Sequence, residues 1–310
     1  MFPYLATSNH VRPMHAKLLI GLFTLAPIFA FSALDGAKIE SATGLKGALN
    51  AAEGVFKVTA PRTDVKIKVD DWPLPPFMGL TSWAAFKAGG KAEAMVMGDL
   101  VLFQDEVNPV MSAALDAGLS VTALHNHFFY DDPKVYFMHI GGEGSAEQLG
   151  HAVKAALDKA KEIRAANPTP ARLFGAGFAP SSNSITVAPL ESILGGKAAI
   201  KDGMAKFVFG RNATMDCGCE VGKEMGVNTW AAFAGTDDNA VVDGDFCVRE
   251  SELQATLKTL RAEGINIVSI HHHMTQEEPR YLFLHYWGKA PAAQLATSLK
   301  QALVVQDAKK

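Results

Sequence analysis

This chain is written twice, and that limits its fold more than any other feature. Residues 123–140 read ALHNHFFYDDPKVYFMHI, and about 146 positions later residues 269–286 read SIHHHMTQEEPRYLFLHY. Between 99–157 and 245–303 an ungapped comparison matches at roughly one position in four, the mark of an internal repeat. Whatever the two copies share calls for one explanation that serves both.

Each copy runs through the same order of elements. In the first half VFKVTA (55–60) and DVKIKV (64–69) alternate apolar and polar residues like the two strands of a hairpin. A Pro-rich link, DDWPLPPFMG, leads to LTSWAAF, the apolar run AMVMGDLVLF and a helix over 106–117 stopped by Gly118. The quoted stretch reads as a strand, a turn at DDPK and a second strand, ended by Gly141, Gly142 and Gly144. SAEQLGHAVKAALDKAKEIRAA is then a long amphipathic helix, with Leu149, Val153 and Leu157 at helical spacing. The second half repeats this with FVFGR, NTWAAF, AVVDGDFCV, a helix over 252–262 closed by Gly264, the histidine-bearing strand pair and a final helix around 292–304. The Pro-, Gly- and Ser-rich segment 167–184 reads as a linker. The expectation is an α+β fold of two tandem homologous units, 33–166 and 185–310, each an antiparallel sheet covered by two helices, related by a pseudo-twofold.

Composition narrows the function classes. A chain of 310 residues, 48% hydrophobic, with a formal net charge of −3 and no Lys/Arg-rich run is a globular chain with no footprint for nucleic acid. Residues 18–31, LLIGLFTLAPIFAF, form an apolar run of about 14 residues preceded by Arg12, His15 and Lys17, short for a bilayer span. The reading is a signal peptide over 1–32, cut after Ser32, with Met14 as an alternative start. No cysteine lies near that point, so the mature chain is expected to be periplasmic or secreted, without a membrane anchor.

In such a compartment Cys217, Cys219 and Cys247 are an odd number. Three arrangements fit: a disulfide from Cys247 with one spare thiol, buried free thiols, or a thiolate metal site. The first repeat has no cysteine, so none of the three explains what the copies share.

The histidines are shared. Alternation along a strand points His125 and His127 to one face. A turn centred near Asp132 sets His139 opposite His125, with Cβ atoms about 4.5–5.5 Å apart, and His127 diagonal at about 7 Å. A turn near Glu278 does the same for His271, His285 and His273. Three imidazoles on one face form a candidate site for a divalent transition metal, zinc or copper first, with a further position open to a carboxylate, water or substrate. Glu106 and Glu252, at matched helix starts, are candidates for that carboxylate or for an outer partner, although a helix dipole alone favours an acid there. Asp99 and Asp245 also match, but their glycine neighbours read equally well as turns. The alternative is a hydrogen-bonded polar cluster without chemistry. His151 and His272 read as surface residues, and Trp83 and Trp230 as core or pocket wall.

WAAF, VMGDLVLFQDEVNPV, ALHNHFFYDDPKVYFMHIGG and their second copies, HHHM with EEPRYLFLHYWG, resemble the LppY/LpqO family of exported bacterial proteins, a group without an assigned biochemical function. The resemblance spans nearly all of the expected mature chain. It implies a duplicated secreted domain and supplies no reaction. Relatives resembling the mycobacterial lipoproteins carry an acylated cysteine at the mature N-terminus, which this sequence lacks.

Three functions compete. One is an exported metal-binding or sequestering protein with one site per repeat. Another is a metal-dependent hydrolase or oxidase with Glu106 or Glu252 as base, acting on a small organic ligand. The last is a metal-free envelope adaptor. No GlyxSerxGly, HisGluxxHis, phosphate loop or cofactor fingerprint supports the enzyme.

Overall fold

The computed structural model describes residues 34–173 and 181–307. The expected signal peptide and its cleavage point lie outside the described residues, as does part of the linker. Among the described residues no helix is long and apolar enough to cross a membrane.

The first repeat contributes α1 (Gly36–Thr43), β1 (Gly47–Asn50), β2 (Val55–Pro61), β3 (Thr81–Ala88), β4 (Ala94–Phe103), α2 (Gln104–Asp116), β5 (Ser120–His125), β6 (Val135–Gly144) and α3 (Ala146–Ala166). The second contributes α4 (Val187–Leu194), β7 (Ala199–Lys201), β8 (Met204–Gly210), β9 (Asn228–Gly235), β10 (Ala240–Arg249), α5 (Glu250–Ala262), β11 (Asn266–His271), β12 (Tyr281–Ala290) and α6 (Ala292–Asp307). All twelve strands join one antiparallel sheet in the order β1-β2-β3-β4-β6-β5-β11-β12-β10-β9-β8-β7. The order of roles is the same read from either edge. Two separate sheets were expected; the edge strands of the two halves instead pair with each other, Leu124 opposite Ile270. That pairing leaves no unpaired edge in the middle of the molecule.

Local sequence accounts for most elements. Gly118 (φ 92°) and Gly264 (φ 77°) end α2 and α5 in the left-handed region that glycine enters without strain. Ser145 and Gln148 cap α3 reciprocally. One face of the sheet carries Val96, Leu100, Leu102, Met138 and Ile140, which pack on Val110, Met111, Leu149, Val153 and Ala156 of α2 and α3; α5 and α6 cover the same face of the second half. Among the described residues each half has three α-helices where two were expected, because the short α1 and α4 add to α3 and α6.

The expected 55–69 hairpin does not form. β2 pairs instead with β1 and β3, and of DVKIKV only Lys68 and Val69 are strand, in a small separate sheet with Trp72–Pro73 and Asp131–Asp132. Ile67 and Val65 are drawn away because they pack with Leu80, Val101, Phe103, Val135 and Phe137 on the face opposite the helices. The second half covers Cys247, Tyr281 and Phe283 with residues 213–227 in the same way.

Both strands at the seam carry a bulge, between Val121 and Ala123 and between Ile267 and Ser269. A bulge leaves ladder groups unpaired. Here they are met from the other repeat: the Asn108 amide bonds both backbone groups of Ile267 (2.7 and 3.0 Å), and the Gln254 amide bonds both of Val121 (2.9 and 2.8 Å).

Candidate metal centre

The histidines stand on the face away from the helices, between the two covering segments. Across that face Trp83, Asp99, His139 and Ala123 are successive directly opposed residues on β3, β4, β6 and β5. In the second half Trp230, Asp245, His285 and Ser269 occupy the same places on β9, β10, β12 and β11. His125 opposes Phe137 and His271 opposes Phe283, two residues away from the expected pairing in each copy. The bulge and the departure of residues 131–132 into the small sheet account for the shift. Because it is an even number of residues, the histidines keep their common face.

The three rings of each half therefore still converge, His127 5.2 Å from His125 and His273 5.1 Å from His271 between centroids. His125 Nε2 and His139 Nε2 are 3.0 Å apart, with ring centroids separated by 5.1 Å. Two imidazole nitrogens bound to one ion at about 2.0–2.1 Å lie about 3.0–3.4 Å from each other, so this spacing fits a shared ion. In the second half one donor atom each from Asp245, His271 and His285 lie within 4.8 Å of one another, and the two rings stack at 4.9 Å. His285 Nδ1 donates to the Gly244 carbonyl oxygen at 3.2 Å, which turns Nε2 outward as the lone-pair nitrogen.

The third histidine of each triangle lies outside the strands but stays in ring contact with the first. His127 stacks on Phe137 with centroids 3.3 Å apart, and His273 on Phe283 at 3.5 Å. His273 Nε2 reaches Asp245 Oδ2 at 3.2 Å and its Nδ1 lies 3.4 Å from the Gly226 carbonyl. It is placed to orient the carboxylate.

The two glutamates are corrected. Glu106 is fully buried, and its oxygens accept from Arg62 (2.6 and 3.0 Å), Arg164 (2.9 Å) and the Phe103 N–H (2.9 Å). Glu252 accepts from Arg211 (2.5 and 2.9 Å) and the Arg249 N–H (2.9 Å). Burial opposes ionisation of Glu252, but the Arg211 hydrogen bonds prevail and hold its carboxyl below the ordinary range. Carboxylates so engaged are structural clamps between strand and helix start, unsuited to bind an ion or act as base.

Asp245 lies within 4.8 Å of His271 and His285, where a glutamate was expected, and Asp99 holds the matching register position opposite His139. Both aspartates lie mid-strand rather than in turns, Asp99 buried at 8% and Asp245 at 1% exposure, and Oδ1 of each has no hydrogen-bond partner among the described residues. Burial pushes the Asp245 carboxyl up, against the attraction of His285 and His273. Burial pushes His271 down to about 4, aided by His285 and His273 and opposed by the Phe283 backbone, so its ring is neutral at pH 7; its buried Nδ1 has no hydrogen bond of good geometry among the described residues. His127 is lowered by burial and by His125, with Asp99 opposing. The matched offset of the two aspartates was the available signal, masked by their glycine neighbours.

The cysteines resolve to a Cys217–Cys219 disulfide and a buried free Cys247, rather than a bridge from Cys247. His272 is exposed, as is His151.

With this geometry in hand, the comparisons place the chain. It belongs to the family described as Domain of Unknown Function (DUF1259), whose model matches residues 37–159 and again 188–305, one stretch in each repeat. No curated protein matches it. A solved structure titled "Crystal structure of a trimeric bacterial microcompartment shell protein PduB" aligns over 84% of this chain and 91% of that one, at 12% identity and a TM-score of 0.20, too low to carry an argument.

Proposed function

We propose that this is an exported transition-metal-binding protein with one ion site per repeat: His125, His139 and Asp99 in the first, His271, His285 and Asp245 in the second. His273 stands behind as the partner of Asp245, and His127 holds the matching place in the first repeat. The observation that carries the reading is the convergence of Asp245, His271 and His285, with Asp245 Oδ1 and His271 Nδ1 buried and, among the described residues, without a hydrogen-bond partner of good geometry. Such atoms cost about 1–3 kcal/mol each unless something meets them. A divalent cation meets the carboxylate, and the donors would close from 4.8 Å to about 3.4 Å around it. Nitrogen and oxygen donors suit zinc and copper. The strand order supports the view that the two sites are related by a pseudo-twofold. The leader and the resemblance to the LppY/LpqO group support export. Elemental analysis of protein exported to the periplasm and purified without chelator tests the reading: two ions per chain are expected, and folded, metal-free protein after zinc and copper exposure would refute it.

A second reading has its own support. Two histidines and one carboxylate leave positions open, the donor set of catalytic ferrous and zinc sites, so a metal-dependent hydrolase or oxidase follows if substrate turnover accompanies metal uptake.

A further inference from the structure

The two clusters belong to one surface. Leu124 opposes Ile270 across the seam, and continuing that antiparallel register puts His125 beside Ser269 and Ala123 beside His271. Successive strands β4, β6, β5, β11, β12 and β10 therefore present Asp99, His139, His125, His271, His285 and Asp245 on a single face, with only Ala123 and Ser269 between the pairs. Each pair straddles two neighbouring strands, so the pair centres are two strand spacings apart, about 10 Å. All four histidines, Ala123 and Ser269 are half-buried rather than sealed.

Charge adds to the geometry. A divalent ion beside one aspartate leaves about one positive charge per cluster, so the face carries two at that spacing. The side chains between the pairs, Ala123 and Ser269, are small and partly open to solvent.

We propose that the two centres act as one composite site, binding a single dicarboxylate whose ends each complete one ion's coordination across Ala123 and Ser269. This rests on the metal-binding reading. With metal–oxygen bonds of about 2 Å at each end, the bridging oxygens lie about 6 Å apart, within reach of adipate.

The test uses the full exported chain. Loaded with Cu(II), it should hold two ions per chain with the dipolar broadening of spins about 10 Å apart, whereas two bound ions without coupling would overturn the shared face. Loaded with zinc, it should bind adipate at least tenfold more tightly than acetate in calorimetry. His139→Ala and His285→Ala, each retaining one ion, should lose that advantage. An advantage kept by either variant, or absent from the unaltered chain, overturns the bridge while leaving metal binding intact. A chain that takes up no ion overturns the underlying reading as well.

Discussion

His285 stands directly opposite Asp245 on the neighbouring strand, and His273 reaches the same carboxylate from a loop, Nε2 to Oδ2 3.2 Å. One carboxylate is thus addressed by two imidazoles, and its other oxygen is buried without a hydrogen-bond partner among the described residues. A bound cation would meet that oxygen, which sets the first prediction. Asp245→Ala and His285→Ala should each reduce bound metal by about half, from two ions to one, by elemental analysis. His273→Ala should retain the ion but bind it about 10–100-fold more weakly, the range for a lost outer partner.

The glutamates give the contrasting result. Glu252→Ala leaves the Arg211 guanidinium, 13% exposed, without its carboxylate. Breaking such a pair should cost about 3 kcal/mol and lower Tm by roughly 6–12 °C, while metal per folded chain stays unchanged. Calorimetry and elemental analysis on one sample separate the two effects.

Stability of the metal-free chain should depend on His271. Its pKa falls from an ordinary value near 6.5 to about 4 on folding, so between these values the unfolded chain binds more protons. The contribution is complete above about pH 6.5 and is lost as pH falls toward 4. Asp245, raised by burial, acts in the opposite sense just above its ordinary range. Urea titrations from pH 7.5 to 4.5 should show a shallower loss for His271→Leu than for the unaltered chain.

Cys247 is buried and its thiol is pushed up to about 12, first by desolvation. A thiolate is the reactive form, so native protein at pH 8 should resist alkylation at Cys247 while denatured protein is labelled promptly. Cys217 and Cys219 should label only after reduction.

These cases show where the sequence was legible. The common face of His125, His139, His271 and His285 could be read because strand alternation tolerates a two-residue error in register. The helix ends at Gly118 and Gly264 were equally plain, since each needed a positive φ. Asp99 was obscured because a carboxylate inside AMVMGDLVLF contradicts strand patterning unless something in the site requires it. Glu106 misled because a helix-start acid looks the same whether it faces a cation or the guanidinium of Arg62. The β5–β11 seam had no local signal at all, being set by pairing between residues such as Leu124 and Ile270, far apart in sequence.

The crossed amides have a further consequence. Asn108 serves the bulge at Ile267, and Gln254 serves the one at Val121, so each half carries an amide cap for its counterpart. A single half released alone would expose a bare β5-type edge whose natural cover is another copy of itself. Two identical chains meeting there would make a symmetric dimer whose assembly depended on concentration. Joining both copies in one polypeptide removes that dependence, holding the seam together at any dilution, and leaves each copy free to vary its side of the face.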